Sequence, residues 1–412
     1  MHWLAWFFAL LFFAFQFVLR LLPGLVMQDV MAKFQLNASA YGFLSSMYYV
    51  GYAGMQIPVA ILLDRFGPRR VISFFAALCA AATLLFATTE SWPMLVAARF
   101  FVGFGSAAGF LGCSKIVSEA FPRKSYSKMI GLTFTFGLIG ALYGGKPTSM
   151  LISQVGWQQA ALAIGCAGLV IAALVYIFVR DNKNNENNVA KHAPTPSIIA
   201  TLKTIVSSKA LLLMALANLL MVGSLEGFAD VWGVSYLTQT HGFEQALSAS
   251  ITSCIFIGML FGGPLLAAIA ERFGALLQTI AACGLITAAI FVVMLLSGTA
   301  LSHIALCALM LIVGILCCYQ VLVFAAGSER VPPAMAGVTV AFLNCVNMLG
   351  GTFFHSTIGT LLDHFWSGHT NADGLKIYVA ADYTLALGAI PVCSLLGAII
   401  FWYVGRARKT IE

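Results

Sequence analysis

The sequence predicts an all-α membrane protein with twelve transmembrane helices, built as two pseudo-symmetric six-helix bundles. Three observations carry that expectation. The first is composition: 60% of the residues are apolar and 9% are charged, where soluble domains carry about 25% charged residues. Most of the chain must therefore face lipid or other apolar helices. The second is segment length. A spanning helix needs about 20 mostly apolar residues, and such runs recur at about 4–27, 40–63, 71–88, 92–120, 129–154, 157–179, 210–237, 246–270, 275–297, 303–327, 335–362 and 381–405. The third is a repeat. Gly51 to Arg70 reads GYAGMQIPVAILLDRFGPRR, and Gly258 to Gly274, 207 positions later, reads GMLFGGPLLAAIAERFG. Gly51 maps to Gly258, Asp64 to Glu271, Arg65 to Arg272, Phe66 to Phe273 and Gly67 to Gly274; upstream, Ser46 maps to Ser253 and Ala60 to Ala267. A helix end duplicated at half the chain length implies two similar halves.

The elements follow in order. Pro23, Pro58, Pro147, Pro264 and Pro391 fall inside the apolar runs, which membrane helices tolerate. The loops after helices 2, 4, 6, 8 and 10 hold Arg65, Arg69, Arg70, Arg123, Lys124, Lys128, Arg180, Lys183, Lys191, Lys203, Lys209, Arg272 and Arg330, and the tail adds Arg406, Arg408 and Lys409. The opposite loops hold only Lys33 and Lys376. Positive charge stays inside, so both termini are expected in the cytoplasm. The polar stretch Asp181 to Ser197, DNKNNENNVAKHAPTPS, reads as a linker, and Ile198 to Lys209 as a short amphipathic helix on the same face. The expected division is a first bundle over 1–180, a cytoplasmic linker over 181–209 and a second bundle over 210–412. No cleavable signal peptide is expected, because the first apolar run is long enough to span. The net charge of +7 is no nucleic-acid signature, since the basic residues lie between apolar runs. All ten cysteines lie in apolar segments, so free thiols are expected rather than disulfides or a metal site.

The duplicated stretch carries a resemblance. A Gly followed by Asp64-Arg65-Phe66-Gly67-Pro68-Arg69-Arg70 resembles the loop between helices 2 and 3 of the major facilitator superfamily. With Tyr52 and Gln56-Ile57-Pro58, the wider segment is most similar to the anion:cation symporter branch and the related lysosomal dipeptide-transporter branch. Ala60 stands where that family usually has Gly, and is still small enough for close packing. The resemblance implies that Gly51, Asp64, Arg65, Gly67, Arg69 and Arg70, with Glu271 and Arg272 in the second copy, form a cytoplasmic gate that latches the halves. The alternative for Arg69 and Arg70 is topological anchoring.

Charges at membrane depth cost at least about 2.5–3.5 kcal/mol, so each asks for a reason. Arg20, Arg99, Lys115 and Lys146 qualify in the first half, and Glu226 and Asp230 in the second. Arg20 lies roughly 24 Å along helix 1, somewhat beyond the midplane, with Gln16 one turn earlier on the same face. The segment Phe17 to Val30, FVLRLLPGLVMQDV, resembles helix 1 of the anion:cation symporters, where the equivalent Arg contacts a substrate carboxylate. A guanidinium suits a carboxylate or phosphate; an internal ion pair with Glu226 or Asp230 is the alternative. Lys146, in GALYGGKPTSM, sits at nearly the same level with Gly144 and Gly145 leaving space beside it, or else snorkels outward. The region loosely resembles the helix-5 Gly-Pro motif of antiporters, but Lys146 interrupts it. Arg99, in LVAARFFVGFGSAAG, resembles the helix-4 Arg of the superfamily, which implies a role in substrate contact or proton coupling; an Arg that caps carbonyls or pairs near the outer end is the alternative. Gly103 and Ser106 share its face and are expected to leave room beside the guanidinium, while Gly105, Gly109 and Gly112 form a second small-residue stripe for helix packing. The proton-carrying Glu that the symporter branch often has near Ser106 is missing. Lys115 faces away from Arg99 and reads as snorkelling.

Glu226 and Asp230 stand one turn apart on helix 7. Close carboxylates suit a proton carrier, a substrate amine, or neutralisation of the first-half cations. Helix 11 presents Asn344, Asn347, Gly351 and His355 at helical spacing; Asn344 and Asn347 are candidates for substrate contact and His355 for proton coupling, with a satisfied interhelical hydrogen bond the alternative. Tyr319 and Gln320 on helix 10 are candidates for substrate polar groups, with core packing the alternative. No nucleophile triad, metal-ligand spacing or phosphate loop occurs, so neither an enzyme nor use of ATP, a cofactor or a metal is expected. The chain is expected to be a secondary transporter in a bacterial cytoplasmic membrane, a monomer, taking up a small organic anion with protons by alternating access. The alternatives are a zwitterion transporter for amino acids or short peptides, or an exporter of a drug or carboxylate siderophore.

Overall fold

The computed structural model describes residues 2–181 and 198–409, and its regular elements are helices. The polar stretch after Asp181 lies outside the described residues. We number the spans α1 (His2–Phe34), α2 (38–66), α3 (68–88), α4 (Trp92–Ala120), α5 (126–155), α6 (Trp157–Phe178), α7 (Lys209–His241), α8 (Gln245–Phe273), α9 (Leu276–Leu296), α10 (His303–Ser328), α11 (Pro333–His364) and α12 (Ala380–Arg406). The twelve apolar runs of the sequence thus become twelve spans among the described residues. A short helix, Ile198–Ser207, precedes α7.

Glycines decide where these helices bend. α2 and α3 form one hydrogen-bonded helix, Ala38–Thr88, bent at Gly67 with φ 78° and ψ 160°. α8 ends at Gly274 with φ 54° and ψ 31°, its N–H returning to Ala270 and Glu271. Both duplicated glycines therefore hold a positive φ that a side chain would strain. α5 breaks at Gly145 (φ −85°, ψ −113°), just before Pro147.

By its contacts the chain falls into two compact units, Met1–Leu36 with Phe43–Lys191, and Asn37–Gly42 with His192–Glu412. In the first, α1 packs on α4, α5 and α6. In the second, α8 packs on α10, and α12 on α7 and α9. Each unit contains the same crossing. Gly51 lies against Phe100 O and Phe104 N, and Gly103 against Tyr48 O, so α2 and α4 meet backbone to backbone. Gly258 lies against Leu311 O and Ile315 N, and Gly314 against Ile255 O, so α8 and α10 do the same. A Cβ at any of these four would collide with main chain. Small residues are what allow helices to approach so closely. The offset between the copies is 207 positions on α2 and α8 but 211 on α4 and α10. The difference falls where α9 gives way to α10: Leu296 and His303 bound a longer link, with a 3-10 turn at Gly298–Ala300.

The first turn of α2 belongs to the second unit. Ser39 N donates to Asp363 Oδ2 at 2.8 Å and Ala38 N donates to Tyr378 Oη at 2.9 Å. Asp363 Oδ1 also accepts from Tyr378 Oη at 2.6 Å and Lys376 Nζ at 2.8 Å. Burial first, and then the bond to Asp363, pushes the Tyr378 phenol up, keeping it protonated as donor.

Candidate functional site

In the first unit, the two arginines of α1 and α4 sit on neighbouring tyrosines of α2. The half-buried Arg20 guanidinium lies 5.3 Å from the Tyr49 ring centre and 5.8 Å from that of Phe17. Arg99 is 3% exposed, lies 5.3 Å from the Tyr48 ring centre, and its Nη1 donates to Leu19 O at 3.0 Å. Cation–π contacts of this kind strengthen when desolvated. Tyr52 stacks on Tyr48 with 6.0 Å between centres and 20° between planes. This aromatic platform was written in the sequence as Tyr48, Tyr49 and Tyr52 within an apolar run. Its signal was the repeated phenol in a lipid-embedded segment, where aromatic side chains with polar tips are ordinarily found at the interfaces.

Gln16, one turn before Arg20, is buried against Gly109. Its Oε1 accepts no hydrogen bond among the described residues. Lys146 is exposed at the start of the second half of α5. Gly144 does not open space beside it, because Gly144 is pressed against Val18 and Leu21 of α1. Gly103 likewise opens no room beside Arg99: it is taken up by Tyr48 O at the crossing. The second stripe of α4 does serve packing, with Gly105 against Phe75 and Cys79, Gly112 against Ile72, and Gly109 turned to α1.

In the second unit, Glu226 and Asp230 are buried inside a π-helical stretch of α7, Gly223–Trp232. The Gly233 N–H donates to Phe228 O, five residues back. Gly223 and Gly227 lay this widened turn on Phe354 of α11. π-helical turns inside α-helices are frequent at functional sites. The adjacent His355, also buried, has Nε2 2.6 Å from Glu226 O. A carbonyl only accepts, so Nε2 carries a proton there.

The polar stripe of α11 does not act as one group. Asn347 turns to α10, its Nδ2 donating to Gln320 Oε1 at 2.9 Å, while His355 turns to α7. Asn344 is half-buried. Tyr319 Oη donates to Asn218 O at 3.1 Å, and Asn218 Nδ2 to Leu343 O at 3.4 Å. Asn218 was missed from the sequence, although it is the one amide in LLLMALANLLM. Asn218 Oδ1, Asn347 Oδ1 and Gln320 Nε2 are buried and find no partner among the described residues.

The duplicated loop is tied down within the first unit. Asp64 accepts from Lys115 at 2.7 Å, and Lys115 also reaches Glu119 at 3.2 Å. Arg69 N donates to Asp181 Oδ1 at 2.9 Å, and its Nε to Tyr176 O at 2.7 Å. Arg65 lies beside Phe66, and Arg65 and Arg70 are exposed. In the second copy, Glu271 and Arg272 are exposed and enter no ion pair among the described residues.

Helix content, a duplicated glycine crossing and charged side chains at membrane depth define a multi-pass membrane transporter. The family model of the Major Facilitator Superfamily matches residues 5–355, and the chain belongs to that superfamily. It is 25% identical over 237 residues to the uncharacterized transporter YybO of Bacillus subtilis, covering 54% of each chain. It is 25% identical over 154 residues to the probable sulfoacetate transporter SauU of Cupriavidus necator, covering 37% of this chain and 36% of that one. The probable galactarate/D-glucarate transporter GarP of Escherichia coli strain K12 is 24% identical over 271 residues, with 57% and 60% covered. The match therefore spans about half of YybO and about a third of SauU. Among solved structures, a bacterial homolog to the human lysosomal transporter Spinster superposes with a TM-score of 0.80 at 16% identity, covering 97% and 96%. The nucleoside transporter NupG superposes with a TM-score of 0.75 at 12% identity, covering 98% of each chain. These two likenesses speak to the fold alone.

Proposed function

We propose that this transporter takes up a small organic anion together with protons by alternating access. The observation that carries the reading is the pair Arg20 and Arg99 on Tyr48 and Tyr49. Arg99 is buried and donates to Leu19 O, and Arg20 is half-buried on its tyrosine. A fixed positive charge on an aromatic floor suits a carboxylate, which a guanidinium meets with two parallel bonds. Two relatives named for organic anions, SauU and GarP, support the same class. Gln16 lies on the Arg20 side of α1 with an unmet acceptor that suits a hydroxyl of the substrate. Glu226, Asp230 and His355 are the proposed proton-coupling groups. The gate residues of the duplicated loop remain a proposal, as do a bacterial cytoplasmic membrane, cytoplasmic termini and a monomeric state.

The test uses purified protein in liposomes with a pH-sensitive dye trapped inside. Panels of carboxylates, phosphorylated anions, amino acids, dipeptides and organic cations are added to the native protein and to Arg20→Ala. Interior acidification with an anion, lost in Arg20→Ala, is the expected result. Uptake of a labelled anion without any dye response would sink the proton assignment. The buried acids of α7 favour a second reading, a zwitterion whose amine meets Glu226 or Asp230. A response only to amino acids or dipeptides would select it.

A further inference from the structure

The first unit carries a groove that the proposed anion site and proton-coupling groups do not use, although Arg70 at its mouth is also one of the proposed gate residues. α6 packs on α3 through Gly165, which meets Leu84, and Gly168, which meets Ala80. Toward Arg70 the two helices leave an open groove of about 480 Å³ between them, within the roughly 300–1,000 Å³ usual for small-ligand sites. Its floor is small: Ser73 and Ala77 from α3, Ala172 and Ala173 from α6. Its walls are Phe74, Leu169 and Tyr176, all exposed. The Ser73 hydroxyl is turned back onto Arg69 O at 2.6 Å, so the floor offers no donor. From Arg70 to Ala77 the groove runs about 10 Å along the helix.

Charge is concentrated at one end. Arg70 lies at the mouth, exposed, and its guanidinium makes no hydrogen bond or ion pair among the described residues. The carboxylates nearby are engaged, Asp181 with Arg69 N and Asp64 with Lys115. Arg69 stacks 4.3 Å from the Tyr176 ring centre and its Nε donates to Tyr176 O. The groove lies on two helices of a multi-pass membrane protein, and its apolar walls are exposed.

We propose that this groove seats one anionic phospholipid, an acyl chain on the Ala77–Ala172–Ala173 floor and the phosphate on Arg70. An apolar slot suits a chain, a guanidinium at its mouth suits a phosphate, and basic sites at the ends of membrane helices recognise anionic head groups. The full-length protein, stripped of lipid in detergent, is titrated with phosphatidylglycerol and with phosphatidylcholine of the same chains, and bound lipid is counted by native mass spectrometry. Phosphatidylglycerol is expected to bind one per chain and roughly fivefold tighter, as one basic residue is worth about 1 kcal/mol at such a site. Arg70→Ala should erase that preference and Arg70→Lys should keep most of it. Ala173→Phe, on an exposed position, should block the slot and lower the affinity for both lipids while leaving the melting temperature unchanged. Equal affinity for the two lipids, or a preference that survives in Arg70→Ala, overturns the proposal. So does full displacement of phosphatidylglycerol by inorganic phosphate, which would make this a site for free phosphate.

Discussion

Arg20 and Arg99 share adjacent tyrosines but are held differently, and their substitutions should separate. Arg99 is buried, bonded to Leu19 O and spread on Tyr48. Arg99→Ala removes a hydrogen bond to a charged group, worth about 1.5–3 kcal/mol, and leaves a cavity. It should lower the melting temperature in detergent. Arg20 is half-buried, and Arg20→Ala should leave melting nearly unchanged while abolishing anion-driven acidification. Equal loss of stability in both would remove the distinction. The sequence showed that both arginines lie at membrane depth, because a charge in an apolar run stands out. It did not show the bond that holds Arg99, since that depends on a carbonyl 80 residues away. Lys115 is a similar case: the sequence did not show its partner Asp64, 51 residues away.

At the scale of helices, the spans were legible because lipid demands long apolar runs and loops collect charge. The local departures were less so. A π-helical stretch leaves little trace in residue type beyond Gly223, Gly227 and Gly233, which also serve packing. The role of Gly103 was misjudged for a related reason. A glycine beside an arginine reads as space, but here the neighbouring backbone fills it. Gly103→Ala should therefore cost most of the folded yield, because a Cβ would collide with Tyr48 O. Gly131→Ala on α5, which meets nothing within 4 Å, should be tolerated or mildly stabilising. Fluorescence size-exclusion of the two variants checks this, and comparable yields would mean the α2–α4 crossing can relax.

For the whole molecule, the proposed coupling rests on acids and a histidine in the second unit and the proposed anion site on arginines in the first. Glu226→Gln keeps the shape of the π-helical turn and removes one titratable group. In proteoliposomes it should retain anion binding and anion–anion exchange while losing net uptake driven by an inward proton gradient. Loss of binding as well would favour the zwitterion reading, where Glu226 holds an amine. The superfamily was readable from one duplicated loop. The substrate was not: residue types in apolar runs do not name a ligand, and the unmet atoms of buried amides such as Asn218, Gln320 and Asn347 only become visible once α7, α10 and α11 are packed.

The unequal offsets of the two glycine crossings have a practical side. From Gly51 to Phe100 the chain takes 49 residues, and from Gly258 to Leu311 it takes 53. The same crossing is reached, so the bundle does not register the surplus in the link between α9 and α10. Gly298 has open space around it and Leu296 is exposed. An exposed link whose length already differs between the copies is a natural point of insertion. A fluorophore-binding tag placed after Gly298 would report on this protein in living cells without touching the helices that carry its chemistry.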